Sequence, residues 1–272
     1  MARSFDLDTP HGRIALRESG PDGGIPLFLL QRFRGTMDDW DPAFIEAISA
    51  ERRVIRFDSA GIGRSGGRVP DTVGGMAAIA GGVIDAAIGA LGFAQADVLG
   101  WSLGGVVAQQ LALDAPHLVR RLIVAGSSPG GITDGPQPHP RVPQVMTHAV
   151  NDAEDFLFLF YPESETAVAA GRASLARIAA QPDRGPRVTA EAFMAQVKAI
   201  SSWQGVLHRA AELRLPILVA NGAQDVMLPA YRSYVLSQQA PYAKLVLYPD
   251  AGHAFLFQEI EDFAAEIDRF LA

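Results

Sequence analysis

The sequence predicts an α/β fold: a mainly parallel sheet covered by helices on both faces and interrupted late in the chain by a helical insertion. Three observations carry that expectation. Continuous apolar runs recur at 25–30, 53–57, 96–101, 122–125, 216–220 and 245–247, and runs of this kind suit strands buried on both faces. Helix-periodic stretches separate most of them, the alternation that builds a parallel sheet. The alternation stops over 131–213, where a proline-rich stretch at 136–143 leads into several helix-like pieces.

The elements follow in order. Residues 4–7 and 13–18 alternate around Thr9-Pro10-His11-Gly12 and predict an antiparallel hairpin. The strand at 25–30 ends in the polar loop Gln31 to Thr36, and Asp41-Pro42 opens a helix to about Ala50. After the strand at 53–57 and a glycine-rich loop at 58–65, a helix of small residues runs from about Asp71 to Leu91. A strand at 96–101, a helix after Ser102 and a strand at 122–125 precede the insertion, whose helical pieces are expected near 151–160, 164–180, 189–201 and 203–211. Strands at 216–220 and 245–247 and helices at 230–239 and 256–271 complete the core, so 1–130 and 214–272 form one unit and 131–213 its helical cap.

A chain of 272 residues with 49% hydrophobic content can bury one large core, which excludes a disordered or linker-like role. A net charge of −7 argues against a nucleic-acid or anionic-membrane partner and for a small soluble substrate. With no cysteine there is no thiolate metal site, disulfide or cysteine nucleophile to consider. The first eight residues lack the apolar stretch of a secretory signal, and no window is read as approaching the roughly 18 apolar residues of a membrane span. A cytoplasmic protein is the simplest reading.

The chemistry is expected at Gly100-Trp101-Ser102-Leu103-Gly104-Gly105, where an apolar strand turns abruptly into a helix. A serine at the tip of such a turn has an exposed hydroxyl in a strained backbone, so its neighbours must be small. The same Gly-x-Ser-x-Gly pattern occurs around Ser65 and Ser128, but glycine and proline follow both and no helix can start there at once. A serine needs a base, and the base needs an acid to fix its tautomer. His253 follows the last strand, whereas His117 lies beyond a helix end and His139, His148 and His208 fall in the insertion. Asp225 follows the strand at 216–220 and emerges at the same sheet edge; Asp250 and Asp134 remain as competing acids. The N–H of Leu103, at a helix N-terminus, is an expected oxyanion donor.

Taken together, Gly100 to Gly105, Asn221-Gly222-Ala223-Gln224-Asp225 and Ala251-Gly252-His253 resemble the α/β-hydrolase superfamily, and within it bacterial carboxylesterases and cofactor-free haloperoxidase-like serine hydrolases with a helical cap. The resemblance covers the whole chain and implies a mostly parallel eight-stranded sheet, a Ser102-His253-Asp225 triad, no metal or organic cofactor, and Phe33 as the second oxyanion donor. In two places the chain departs from that pattern. Gln31 and Arg32 stand where the family usually has His and Gly, and Ala60 replaces an arginine in the loop at 58–65, which is read as a structural brace. Arg32, Trp101, Phe158 and Trp203 are the candidate substrate contacts; Arg32 either binds a substrate carboxylate or, as favoured, braces its loop against carbonyls or Asp38 or Asp39.

The expected function is hydrolysis of small or medium apolar esters through an acyl-enzyme. Carbon–carbon bond hydrolysis or peracid formation by the same triad is the alternative, and a small-molecule receptor on the same scaffold is the rival from another class. A small-molecule ester is the expected partner, with homodimerisation left open.

Overall fold

The computed structural model describes residues 2–272. Along the chain run β1 (Arg3–Thr9), β2 (Gly12–Ser19), β3 (Leu27–Leu30), α1 (Pro42–Ile48), β4 (Val54–Phe57), α2 (Val73–Leu91), β5 (Ala96–Trp101), α3 (Leu103–Asp114) and β6 (Val119–Ala125). The insertion carries α4 (Val142–Met146), α5 (Ala153–Phe160), α6 (Glu165–Ala179) and α7 (Ala190–Ser202). The chain ends with β7 (Ile217–Gly222), α8 (Tyr231–Gln239), β8 (Ala243–Tyr248), α9 (Phe255–Gln258) and α10 (Ile260–Leu271).

Eight strands form one sheet in the order β1-β2-β4-β3-β5-β6-β7-β8. β2 pairs antiparallel with β1 and β4, and every other pairing is parallel. The apolar runs are continuous because successive side chains enter two different cores. Phe28, Val98, Leu122, Val124, Ile217 and Val219 face one, with α2, α3 and α8. Leu27, Leu29, Leu99, Ile123, Leu218 and Ala220 face the other, with α1, α9 and α10. Parallel pairing brings the carboxyl ends of β3, β5, β6, β7 and β8 to one edge, where ligands gather in open sheets of this kind.

Some expectations shift. β6 begins at Val119 and not at 122, and β8 spans 243–248. The short helix α4 was not foreseen, since its five residues are too few for a helical period to show. The piece expected at 203–211 is a 3-10 turn over Leu207–Glu212, and the last helix breaks at Glu259 into α9 and α10. The membrane-span reading needs correction: α2 is 19 residues long with a mean hydropathy of 1.6, enough to cross a membrane by length and composition. Glycines and alanines hid its apolar character from a search for large side chains; in the fold its Ile79, Val83 and Ile84 are buried against the sheet.

Candidate active site

Ser102 links β5 to α3 with φ 56° and ψ −117°, a left-handed conformation that L-residues rarely adopt. Its surroundings hold it there. The Ser102 N–H donates to the Ala125 carbonyl at 2.9 Å, and the Ser127 hydroxyl donates to the Ser102 carbonyl at 2.7 Å. A Cβ on Gly100 would overlap the Gly104 carbonyl, and one on Gly104 would overlap the Leu30 carbonyl, so strand and helix meet only because both are glycine. The other two serine motifs have different surroundings. The Ser65 hydroxyl donates to the Asp58 carbonyl at 2.7 Å and accepts from the Ala15 N–H, pinning its loop to β2, while the Ser128 hydroxyl accepts from the Gly130 N–H at 3.1 Å.

His253 follows β8 and is 1% exposed. Its Nδ1 lies 2.7 Å from Asp225 Oδ2. The other Asp225 oxygen accepts the N–H groups of Met227 and Leu228, each at 2.8 Å, which fixes the carboxylate in the turn after β7. Asp250 has other partners: its oxygens accept from the Ser164 hydroxyl at 2.7 Å and from Gln224 Nε2 at 3.3 Å. Asp134 accepts from the Tyr231 hydroxyl at 3.3 Å. With Nδ1 of His253 taken by Asp225, Nε2 is the ring nitrogen left for proton transfer.

Ser102 and His253 open on one cavity of about 600 Å³ beneath the insertion. Trp101 also borders it and is fully buried; its indole N–H donates to the His253 carbonyl at 2.9 Å, so it fixes the backbone that carries the imidazole. Leu103 is the first residue of α3, and its N–H has no intrahelical partner beside Ser102.

The loop after β3 is where the sequence departs most from the superfamily pattern, and its own side chains close it. Gln31 accepts the Arg32 N–H at 2.7 Å and donates to the Thr36 carbonyl at 2.9 Å. Arg32 Nη1 donates to the Phe33 carbonyl at 2.8 Å, its Nη2 lies 4.0 Å from Asp39, and its guanidinium is 5.2–5.6 Å from the rings of Phe160, Phe156 and Trp101. Burial lowers its pKa and Asp39 opposes that shift. These contacts brace the loop, while the side chain still borders the cavity beside Ser102. Phe33 lines the same cavity, its ring 5.4 Å from that of Phe193 in α7.

Two candidate substrate contacts, Phe158 and Trp203, do not line this cavity. Phe158 sits under Arg141, 4.4 Å from its guanidinium, and against His139, while Phe156 and Phe160 of the same helix supply the cavity wall. Trp203 packs against Gly130, and its indole N–H reaches Gln110 at 3.3 Å, outside the cavity. Sequence spacing alone does not say which side of α5 turns inward.

Sequence reasoning also passed over Arg34. It is left-handed at φ 55°, and its guanidinium donates to the carbonyls of Met146, His148 and Ala149 and to Asn151 Oδ1 at 2.8–3.2 Å. Its N–H donates to Gln196 of α7 at 3.0 Å. A non-glycine residue at positive φ in the loop beside Ser102 is legible only once its backbone is known.

The sheet order, the turn at Ser102 and the buried His253–Asp225 pair define a hydrolase of α/β fold. The alpha/beta hydrolase fold family matches residues 25–260, and the chain belongs to that family. It is 35% identical to an alpha/beta hydrolase fold protein from Chitinophaga pinensis, whose solved structure superposes with a TM-score of 0.88 and covers 100% of this chain and 98% of that one. It is 28% identical over 259 residues to a putative carbamate hydrolase RutD of Azorhizobium caulinodans, covering 90% of this chain and 93% of the relative. It is also 28% identical to a poly(3-hydroxyalkanoate) depolymerase of Ectopseudomonas oleovorans, over 99% of this chain and 92% of the relative.

Proposed function

We propose that the chain is a carboxylic-ester hydrolase working through a seryl acyl-enzyme. The observation that carries this reading is the placement of a strained Ser102 and an Asp225-oriented His253 on one cavity wall. Ser102 Oγ attacks the ester carbonyl carbon while its proton passes to His253 Nε2. The N–H groups of Leu103 and Phe33 stabilise the resulting oxyanion, and the α3 dipole adds to the first of them. Collapse breaks the C–O bond of the alcohol, which leaves with the proton from His253. Water then attacks the acyl carbon, giving its proton to Nε2, and the acyl–Oγ bond breaks as Ser102 takes that proton back.

In this scheme the helical insertion is the cap that shapes the acyl and alcohol subsites. Names borne by relatives, among them the poly(3-hydroxyalkanoate) depolymerase and a pimeloyl-[acyl-carrier protein] methyl ester esterase of Nitrosomonas europaea, support ester chemistry. Turnover of a 4-nitrophenyl ester series, with a carbamate included, tests the proposal. Wild-type protein cycles freely, Ser102→Ala loses roughly 10⁴-fold or more, and Ser65→Ala and Ser128→Ala keep most of the activity. Retention of more than a few per cent by Ser102→Ala would refute it, and a wild-type chain limited to a few turnovers would favour a receptor.

A further inference from the structure

The charge around the cavity does not match the charge of the chain. The protein carries a net charge of −7, yet four arginines, Arg32, Arg34, Arg184 and Arg187, border the cavity against one carboxylate, Asp39. That carboxylate is already shared, 2.7 Å from Arg184 and 4.0 Å from Arg32. Arg34 is satisfied only by carbonyl and amide oxygens, and among the described residues Arg187 has no carboxylate partner. A cavity wall with surplus cationic charge and low-dielectric aromatic surroundings concentrates anions.

The cations are also arranged in sequence. The Trp101 ring lies 5.9 Å from the His253 ring and 5.6 Å from the Arg32 guanidinium, and Asp39 then links Arg32 to Arg184. Arg184 and Arg187 belong to the segment between α6 and α7, which borders the same cavity and is tied to the loop after β3 where Arg184 donates to the Asp38 carbonyl at 2.9 Å and to Asp39 at 2.7 Å. Apolar side chains, among them Phe156, Leu175, Ile178 and Met227, line the same cavity.

Building on the esterase reading, we infer that the substrate is an ester with a carboxylate on the far end of an apolar acyl chain. The carbonyl sits at Ser102 and the carboxylate reaches the Arg184–Arg187 segment. Arg32 stays a brace of the oxyanion loop, its charge adding to the attraction without leaving Asp39 and Phe33.

The test compares mono(4-nitrophenyl) glutarate with its methyl ester, which has the same chain without the charge. The free acid is expected to show about tenfold or greater advantage in kcat/KM at low salt, the scale of one hydrogen-bonded charge. Added salt should shrink that advantage. Arg187→Gln, at an exposed position, is expected to cut the acid-to-methyl-ester ratio several-fold, and Arg184→Gln/Arg187→Gln to bring it near one. Equal rates for the two esters, or a ratio untouched in both variants, would overturn the inference. Should neither ester turn over, the esterase reading fails on its own. The charge preference is then read from calorimetric binding of the same pair to Ser102→Ala, where equal Kd values, or no binding of either, would overturn it.

Discussion

At the scale of single residues, Asp225 and Asp250 lie close to one another in the strand-end loops, and only one is bound to His253. Asp225 accepts two backbone N–H groups on one oxygen and the imidazole on the other; Asp250 joins the start of α6, through Ser164, to Gln224. Asp225→Asn turns an acceptor into a donor facing Nδ1 and favours the wrong tautomer, so kcat is expected to fall on the order of 10³- to 10⁴-fold. Asp250→Asn keeps an oxygen for Ser164 and is expected to stay within about tenfold of wild type, on the scale of a lost partly exposed hydrogen bond. Steady-state kinetics of the two purified variants check both values, and comparable losses would move the acid to the other loop. Ser102, Asp225 and His253 were legible because each ends an apolar strand in a short motif with a stated mechanical demand. Phe158, Trp203 and Arg34 were not, because their contacts come from segments distant in sequence.

Between elements, the loop after β3 and the insertion hold each other in place. Arg34, the residue after Phe33, donates to the carbonyls of Met146, His148 and Ala149, Asp41 at the start of α1 receives a two-pronged contact from Arg177 of α6 at 2.6–3.2 Å, and the Phe160 carbonyl accepts the Ala254 N–H next to His253. The insertion therefore bears on both the loop after β3 and the loop that carries His253. Arg34→Ala and Arg34→Gly both remove the guanidinium, and both are expected to lower kcat by similar factors for neutral esters of every chain length, since the Phe33 N–H proposed as oxyanion donor would be displaced for all of them. Glycine also relieves the left-handed strain at φ 55°, so Arg34→Gly should unfold about 1 kcal/mol later than Arg34→Ala in urea. Equal stabilities, or a loss confined to long acyl chains, would count against this coupling. The core strands were legible from their two-faced apolar runs, while α4 and the 3-10 turn at 207–212 were too short to carry a period.

Across the whole molecule, the glycine-rich loop at 58–65 joins the hairpin half of the sheet to the site, and Asp58 is its buried centre. Asp58 accepts the N–H of Met37 at 2.7 Å and of Arg64 at 2.8 Å, and Gly63, at φ 53°, leaves no room for a Cβ beside its carboxylate. Burial, against the pull of those two N–H groups, raises its pKa from 3.8 to about 6. A raised carboxyl pKa favours the folded state below the unfolded value and loses that contribution as pH climbs through the folded one. Relative to Asp58→Asn, the wild type is thus expected to lose up to about 3 kcal/mol of stability between pH 4 and pH 7, measured by urea unfolding. A pH-independent difference between the two proteins would contradict the burial of an ionisable Asp58.

The seryl acyl-enzyme remains the centre of the proposal, and covalent trapping reads it most directly. Intact-mass spectrometry after brief exposure to a fluorophosphonate should show one adduct per wild-type chain, mapped by peptide sequencing to Ser102, with none on Ser102→Ala and slowed labelling in Asp225→Asn. An adduct on Ser65, Ser128 or any other residue, or undiminished labelling of Ser102→Ala, would contradict it.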